Sequence, residues 1–148
     1  MKTFKIITIG MALLLTAAIQ AQDISSNEVP QNFTTGLLNV YPTATDIEWE
    51  KRGTDYKVNF DVGRMEHKIW FNKYGDMVKV EKHITISQMP ANLKEIIKRD
   101  YPNYKIESVE SIEKDGITTF EVELDKSWNE SLRITYSSNG QILKAMKD

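Results

Sequence analysis

The stretch Leu37–Glu50, LLNVYPTATDIEWE, runs from an apolar helical pattern through Tyr41-Pro42 into an alternating, strand-like pattern. Further along, Ile96–Val109, IIKRDYPNYKIESV, does the same. At a constant offset of sixty, Val29-Pro30 falls on Met89-Pro90, and Phe33, Leu37 and Tyr41 fall on Leu93, Ile97 and Tyr101. Steps of four place each trio on one face of a helix. The first Pro of each copy suits a helix start, where its missing N–H costs nothing. The Pro after Tyr forbids continuation and pushes the Tyr out of helical geometry. Each copy therefore opens with a helix of roughly three turns that stops at Tyr-Pro.

Strand patterns follow in both copies. Ile47 and Trp49 alternate with Asp46, Glu48 and Glu50; after a turn at Arg52–Asp55, Tyr56, Val58 and Phe60 alternate with Lys57, Asn59 and Asp61. In the second copy Phe120, Val122 and Leu124 alternate with Glu121, Glu123 and Asp125, now at an offset of sixty-four. That change reads as a turn longer by four residues near EKDGIT, Glu113–Thr118. Ile69, Phe71 and Gly75 then match Ile134, Tyr136 and Gly140 at sixty-five. Strict period two marks strands with one buried and one wet face. NKYGD and SSNGQ are turn sequences, the second with a hairpin-forming Asn-Gly. The fourth strands, DMVKVEKHI and QILKAMKD, mix both parities, so their facing is open.

The pattern predicts an α+β fold of two tandem helix-plus-four-strand repeats. They join into one eight-stranded antiparallel sheet with both helices on one face and the other face bare. One such unit buries too little apolar surface to stand comfortably alone, which gives a physical reason for two. The N-terminal residues read differently. Lys2 and Lys5 precede the apolar run Ile6–Ile19 and then QAQD, the form of a secretory signal peptide over residues 1–21 with cleavage after Ala21. The run is 14 residues, short of the ~20 that span a bilayer. Residues 22–28 read as a linker, 29–86 as the first repeat and 87–148 as the second, in one continuous domain. From Gln22 onward 17 basic side chains stand against 21 acidic ones, a net charge of −4 with no basic stripe, which argues against nucleic acid as a partner. There is no cysteine, so neither disulfides nor a lipoprotein anchor is expected. The chain reads as periplasmic or secreted, without stable membrane insertion after cleavage.

The doubled Val/Met-Pro and Tyr-Pro, with IEWEK, YKVNF, YGD and FEVEL, resembles the PepSY-like family of exported bacterial proteins, itself similar in fold to the β-lactamase inhibitory protein. The similarity runs from Val29 to Lys147. It implies a concave antiparallel sheet backed by helices, and roles in binding or inhibiting other proteins outside the cytoplasm. It carries over no catalytic residue. Unlike the disulfide-bearing inhibitor, this chain has no cysteine, so the inhibitor's partner does not follow from the resemblance.

The residues themselves offer little chemistry. His67, in MEHKIWF, shares parity with Ile69 and Phe71; with His83 it makes neither a His-Glu-x-x-His motif nor any other zinc spacing. The carboxylates alternate with apolar residues, as on a solvated sheet face, and there is no Gly-x-Ser-x-Gly elbow or phosphate-cradling glycine loop. No catalytic residue, metal site or cofactor is expected, and the chain reads as a non-enzyme. The aromatics say more. Trp49 shares parity with Ile47 and reads as core. Trp70, between Ile69 and Phe71, turns to the bare face, where large aromatics mark contact surfaces. Lys57, Asn59, Lys68, Glu121 and Glu123 share that face by parity, and Trp128 falls at a hairpin tip. A mixed-charge floor with a Trp suits a protein or peptide partner, possible inhibition of an extracytoplasmic enzyme included. The alternative is a small-ligand or metal sensor with a pocket converging on His67 or His83.

Overall fold

The computed structural model describes residues 21–127 and 129–147, and the structural statements below concern those residues. The proposed signal segment up to Gln20, and Trp128, lie outside them. The strands are β1 (Gln22–Ile24), β2 (Ala44–Arg52), β3 (Asp55–Val62), β4 (Met65–Phe71), β5 (Met77–His83), β6 (Lys105–Lys114), β7 (Ile117–Ser127), β8 (Glu130–Ser137) and β9 (Ile142–Lys147). Two helices, α1 (Gln31–Val40) and α2 (Ala91–Asp100), each follow a 3₁₀ turn. The nine strands form one open antiparallel sheet in chain order, β1 to β9. The expected count of eight is corrected to nine, because Gln22–Ile24 pairs with Trp49–Lys51 of β2.

Both helices have ten residues, start after a Pro and stop at a Tyr whose N–H donates to the carbonyl four residues back, Tyr41 to Leu37 and Tyr101 to Ile97. Each seals its own apolar cluster. Phe33 and Leu37 of α1 pack with Trp49, Val58, Phe60, Ile69 and Phe71. Leu93 and Ile97 of α2 pack with Val109, Phe120, Val122, Leu124, Ile134 and Tyr136. One cross-strand row shows that the two helices share a face. Phe60 stands opposite His67, His67 opposite Lys82, Lys82 opposite Ser111, Ser111 opposite Phe120, and Phe120 opposite Tyr136. Directly opposed residues point to the same side of a sheet, so the row carries one face from the first cluster to the second. Between the clusters the face is polar, at Lys82 and Ser111, and a cleft of about 610 Å³ lies over the β5–β6 seam.

The β6–β7 turn is Asp115-Gly116 alone, with φ of 53° and 75°, the left-handed pair that a tight type I′ hairpin requires. The four added residues expected in that turn are found in the strands: β6 and β7 have 10 and 11 residues, β2 and β3 have 9 and 8. After β4, Gly75 sits at φ 93° against α1, where a Cβ would come within 2.7 Å of the Phe33 ring. Gly140, also at φ 93°, meets Ile96 of α2 in the same way. Each helix thus closes down on the turn that ends its third following strand.

Candidate functional site

The sheet's other face is built by the residues that alternate with the core. In β4, His67, Ile69 and Phe71 are buried, and Glu66, Lys68 and Trp70 point the opposite way. Lys57 stands opposite Trp70 and Asn59 opposite Lys68, so these four share the open face. Glu121 and Glu123 alternate with buried Phe120, Val122 and Leu124. They stand opposite Glu110 and Ser108, and His83 stands opposite Glu110 from the other side. All six residues singled out on this face by parity therefore lie on it; Trp128 is outside the described residues.

Three groups divide the face. In the first, Trp70 lies between two ammonium groups, with Lys79 Nζ 4.4 Å and Lys57 Nζ 5.6 Å from its ring centroid. Cations over an indole are held by its quadrupole, and the lysine stems shelter part of the ring. Lys57 also donates to Glu50 Oε1 at 3.0 Å, and Lys79 pairs with Glu81. Glu50 further accepts from Arg52 at 2.8 Å and from Asn59 at 3.3 Å. Burial alone would raise its carboxyl pKa, but the hydrogen bonds and charges of Arg52 and Lys57 outweigh burial and hold it below the ordinary value.

The second group spans β4, β5 and β6 across the seam between the halves. Glu110 Oε1 lies 2.8 Å from His83 Nε2 and 3.4 Å from Lys68 Nζ, and Lys68 is 3.6 Å from Glu66. Burial opposes the charge on Lys68, yet Glu110 and Glu66 overcome it and raise its pKa. In the third group Arg133 Nε is 3.7 Å from Glu121, Arg133 Nη2 is 4.0 Å from Glu123, and Ser108 Oγ donates to Glu123 at 3.0 Å. Two shallow depressions of about 390 and 260 Å³ border His83 on this face.

The arrangement is a partly dehydrated, mixed-charge floor with one large aromatic. Among the described residues no group of three or more His, Cys, Asp or Glu side chains could hold a metal ion, and no helix is long and apolar enough to cross a membrane. His67 does not face this site. It is buried at 8 % exposure, bonded through Nδ1 to the Met65 carbonyl at 2.9 Å and stacked on Phe60. Lys79, Glu81, His83, Glu110 and Arg133 were not selected by strand parity. The β4–β5 register shifts between Trp70 and Phe71, which leaves Val78 as an extra residue in β5 and reverses the parity on its two sides. The His83–Glu110 contact depends on long-range pairing that no local pattern encodes.

Solved structures share this architecture. A BLIP-like protein from Bacteroides fragilis is 22 % identical with a TM-score of 0.63, over 80 % of this chain and 85 % of that one. A DUF2874 family protein from Bacteroides uniformis is 19 % identical at 0.67, over 80 % and 89 %. A Bacteroides eggerthii structure described as "putative periplasmic proteins" is 17 % identical at 0.68, over 80 % and 88 %. No curated protein matches the chain significantly. The family model described as "Putative beta-lactamase-inhibitor-like, PepSY-like" matches residues 16–66 and 54–144. With the doubled Tyr-Pro pattern and the open sheet beneath two helices, this places the chain in the PepSY-like, β-lactamase-inhibitor-like family.

Proposed function

We propose that the protein is a non-catalytic, exported binding protein that uses the open sheet face to hold another protein or a peptide. The observation that carries this reading is Trp70, half-buried on the polar face between Lys57 and Lys79 and outside both apolar clusters. A half-exposed Trp ring that packs in neither core offers a partner a large contact area amid charges that can be re-paired. The surrounding charges supply a polar rim whose pairs can be exchanged for partner contacts. Inhibition of an extracytoplasmic enzyme is the specific form of binding that the family description suggests.

The reading includes two finer points. The helix-plus-four-strand units 29–86 and 87–148 are tandem repeats, each with its own helix-covered cluster. Residues 1–21 are a signal peptide cleaved after Ala21, and the mature chain works in the periplasm, in keeping with the description of the Bacteroides eggerthii structure.

The test is capture of partners from periplasmic extract by the purified exported chain and by its Trp70→Ala variant. Trp70→Ala is expected to weaken capture roughly 30-fold, the effect of a hot-spot truncation of about 2 kcal/mol. Its thermal midpoint should stay within a few degrees of the parent's. A variant that unfolds at far lower temperature would make Trp70 a core residue and end this reading; undiminished capture would exclude it from the contact surface.

A further inference from the structure

Beside the C-terminal half of α2, on the helix side of the sheet, lies a cleft of about 520 Å³. Ile86 of the preceding 3₁₀ turn, Ile97, Tyr101 and Tyr104 give it an apolar lining, and every charged residue that borders it is a lysine: Lys94, Lys98 and Lys105. Its volume falls in the range of small-molecule sites, about 300–1,000 Å³. Lys94 and Lys98 stand one turn apart on α2, as do Ile97 and Tyr101, so a cationic row runs beside an apolar one. We propose that this cleft binds a single-chain amphiphile with a carboxylate head, a free medium-chain fatty acid, with its chain along Ile86, Ile97 and the tyrosine rings and its head at Lys94 and Lys98.

The charge on the cleft is uncompensated. Lys98 and Lys105 have no hydrogen-bond or ion-pair partner among the described residues, and Lys94 donates only to the Ser87 carbonyl, at 3.3 Å. Two nearby carboxylates are already engaged: Asp100 by Arg99 at 2.6 Å, and Glu130 by Lys126 at 3.4 Å and the Tyr104 hydroxyl at 2.7 Å. With its hydroxyl so occupied, Tyr104 offers the cleft its ring, edge-on to Tyr101 with centroids 5.8 Å apart. The dipole of α2 favours cations in its last turn, which accounts for Lys98 and Arg99 but not for Lys94 in the helix middle or Lys105 in β6. Nor does the architecture demand them. At the offset of sixty, Leu37, Tyr41 and Pro42 match Ile97, Tyr101 and Pro102, whereas Ile86, Lys94, Lys98, Tyr104 and Lys105 fall on Ser26, Thr34, Leu38, Ala44 and Thr45. α1 forms and packs without a lysine. An apolar ligand would leave the lysines without a counter-ion, and a small anion would leave Ile86, 46 % exposed, uncovered. A molecule with both parts satisfies both. This site shares no residue with the Trp70 face and does not rest on the reading of that face.

Calorimetric titration of dodecanoate, kept below its micelle concentration, into the chain from residue 22 to 148 should show one saturable site. Butyrate has the head without the chain, and dodecyltrimethylammonium has the chain with the opposite charge; neither should bind. The double variant Lys94→Gln, Lys98→Gln should bind dodecanoate roughly tenfold more weakly, the effect of losing charge-assisted hydrogen bonds. Ile86→Ser, which installs the residue found at position 26, should weaken it several-fold, and both variants should keep the parent's circular dichroism spectrum. Absence of dodecanoate binding, equal binding of the cationic amphiphile, or undiminished affinity in the folded double variant would overturn the proposal. So would a chain that sediments with phosphatidylglycerol vesicles yet ignores free dodecanoate, because the lysines would then serve a membrane surface. If the double variant does not fold, Ile86→Ser and the cationic amphiphile decide.

Discussion

Tyr136 is wholly buried beneath α2, yet its hydroxyl has no hydrogen-bond partner among the described residues. Burial, with smaller effects from Tyr101 and Asp100, pushes its pKa up to about 12, so the phenol stays neutral. A buried hydroxyl without a partner carries a desolvation penalty of about 1–3 kcal/mol. Tyr136→Phe keeps the ring and removes the penalty, so it should leave stability unchanged or raise it by about 1 kcal/mol in urea unfolding. A loss of that size would mean the hydroxyl is bonded after all. Glu50 gives a pH signature of defined sign. Its folded pKa lies below the 4.5 of a free glutamate because Arg52 and Lys57 outweigh its burial. Its stabilising effect is therefore complete above that value and fades as pH falls through the lower folded one. Glu50→Gln should show a shallower loss of thermal midpoint on acidification below about pH 4.5 than the parent does; parallel curves would show that the cluster does not stabilise the fold. At this scale the sequence was informative wherever a strand was regular. Ile69, Trp70 and Phe71 have the facing that alternation predicts, because β4 is in unbroken register with β3 across all seven of its residues.

The elements differ in how plainly the chain announces them. α1 and α2 begin after Pro30 and Pro90 and end at Tyr41 and Tyr101, each boundary set by a backbone constraint within one or two residues. The strands are less explicit where they are irregular. β5 and β9 each carry a register shift at their second residue, three after the turn glycine, at Val78 and Leu143, and both mixed-parity segments are explained by that extra residue. β1 was unreadable for a simpler reason. Three residues, Gln-Asp-Ile, contain no full period of alternation, and what makes them a strand is the free edge of β2 at Trp49–Lys51. The open-face group of Glu110 belongs to the same class of hidden feature, since it meets His83 and Lys68 from 27 and 42 residues away.

On the scale of the whole molecule, two apolar clusters share one sheet but are separated by the polar pair Lys82 and Ser111. The seam itself is the β5–β6 ladder, braced on the open side by the contacts of Glu110 with His83 and Lys68. A half with one ten-residue helix and a single small cluster leaves most of its surface wet. The fragment 22–86, with its β5 edge unpaired, should therefore be largely unfolded by circular dichroism at 25 °C, whereas the chain from residue 22 to 148 should melt in one transition. A fragment that melts cooperatively would show that each half is self-sufficient.

Strand order along the sheet is identical to strand order along the chain. Six of the eight ladders therefore close a short hairpin, and the other two, β1–β2 and β5–β6, close around a helix. An all-antiparallel protein usually folds slowly because its pairings are remote; here each strand pairs only with its neighbours in the chain. With both halves present, the sheet can close hairpin by hairpin outward from the β5–β6 ladder, and no disulfide has to form on the way.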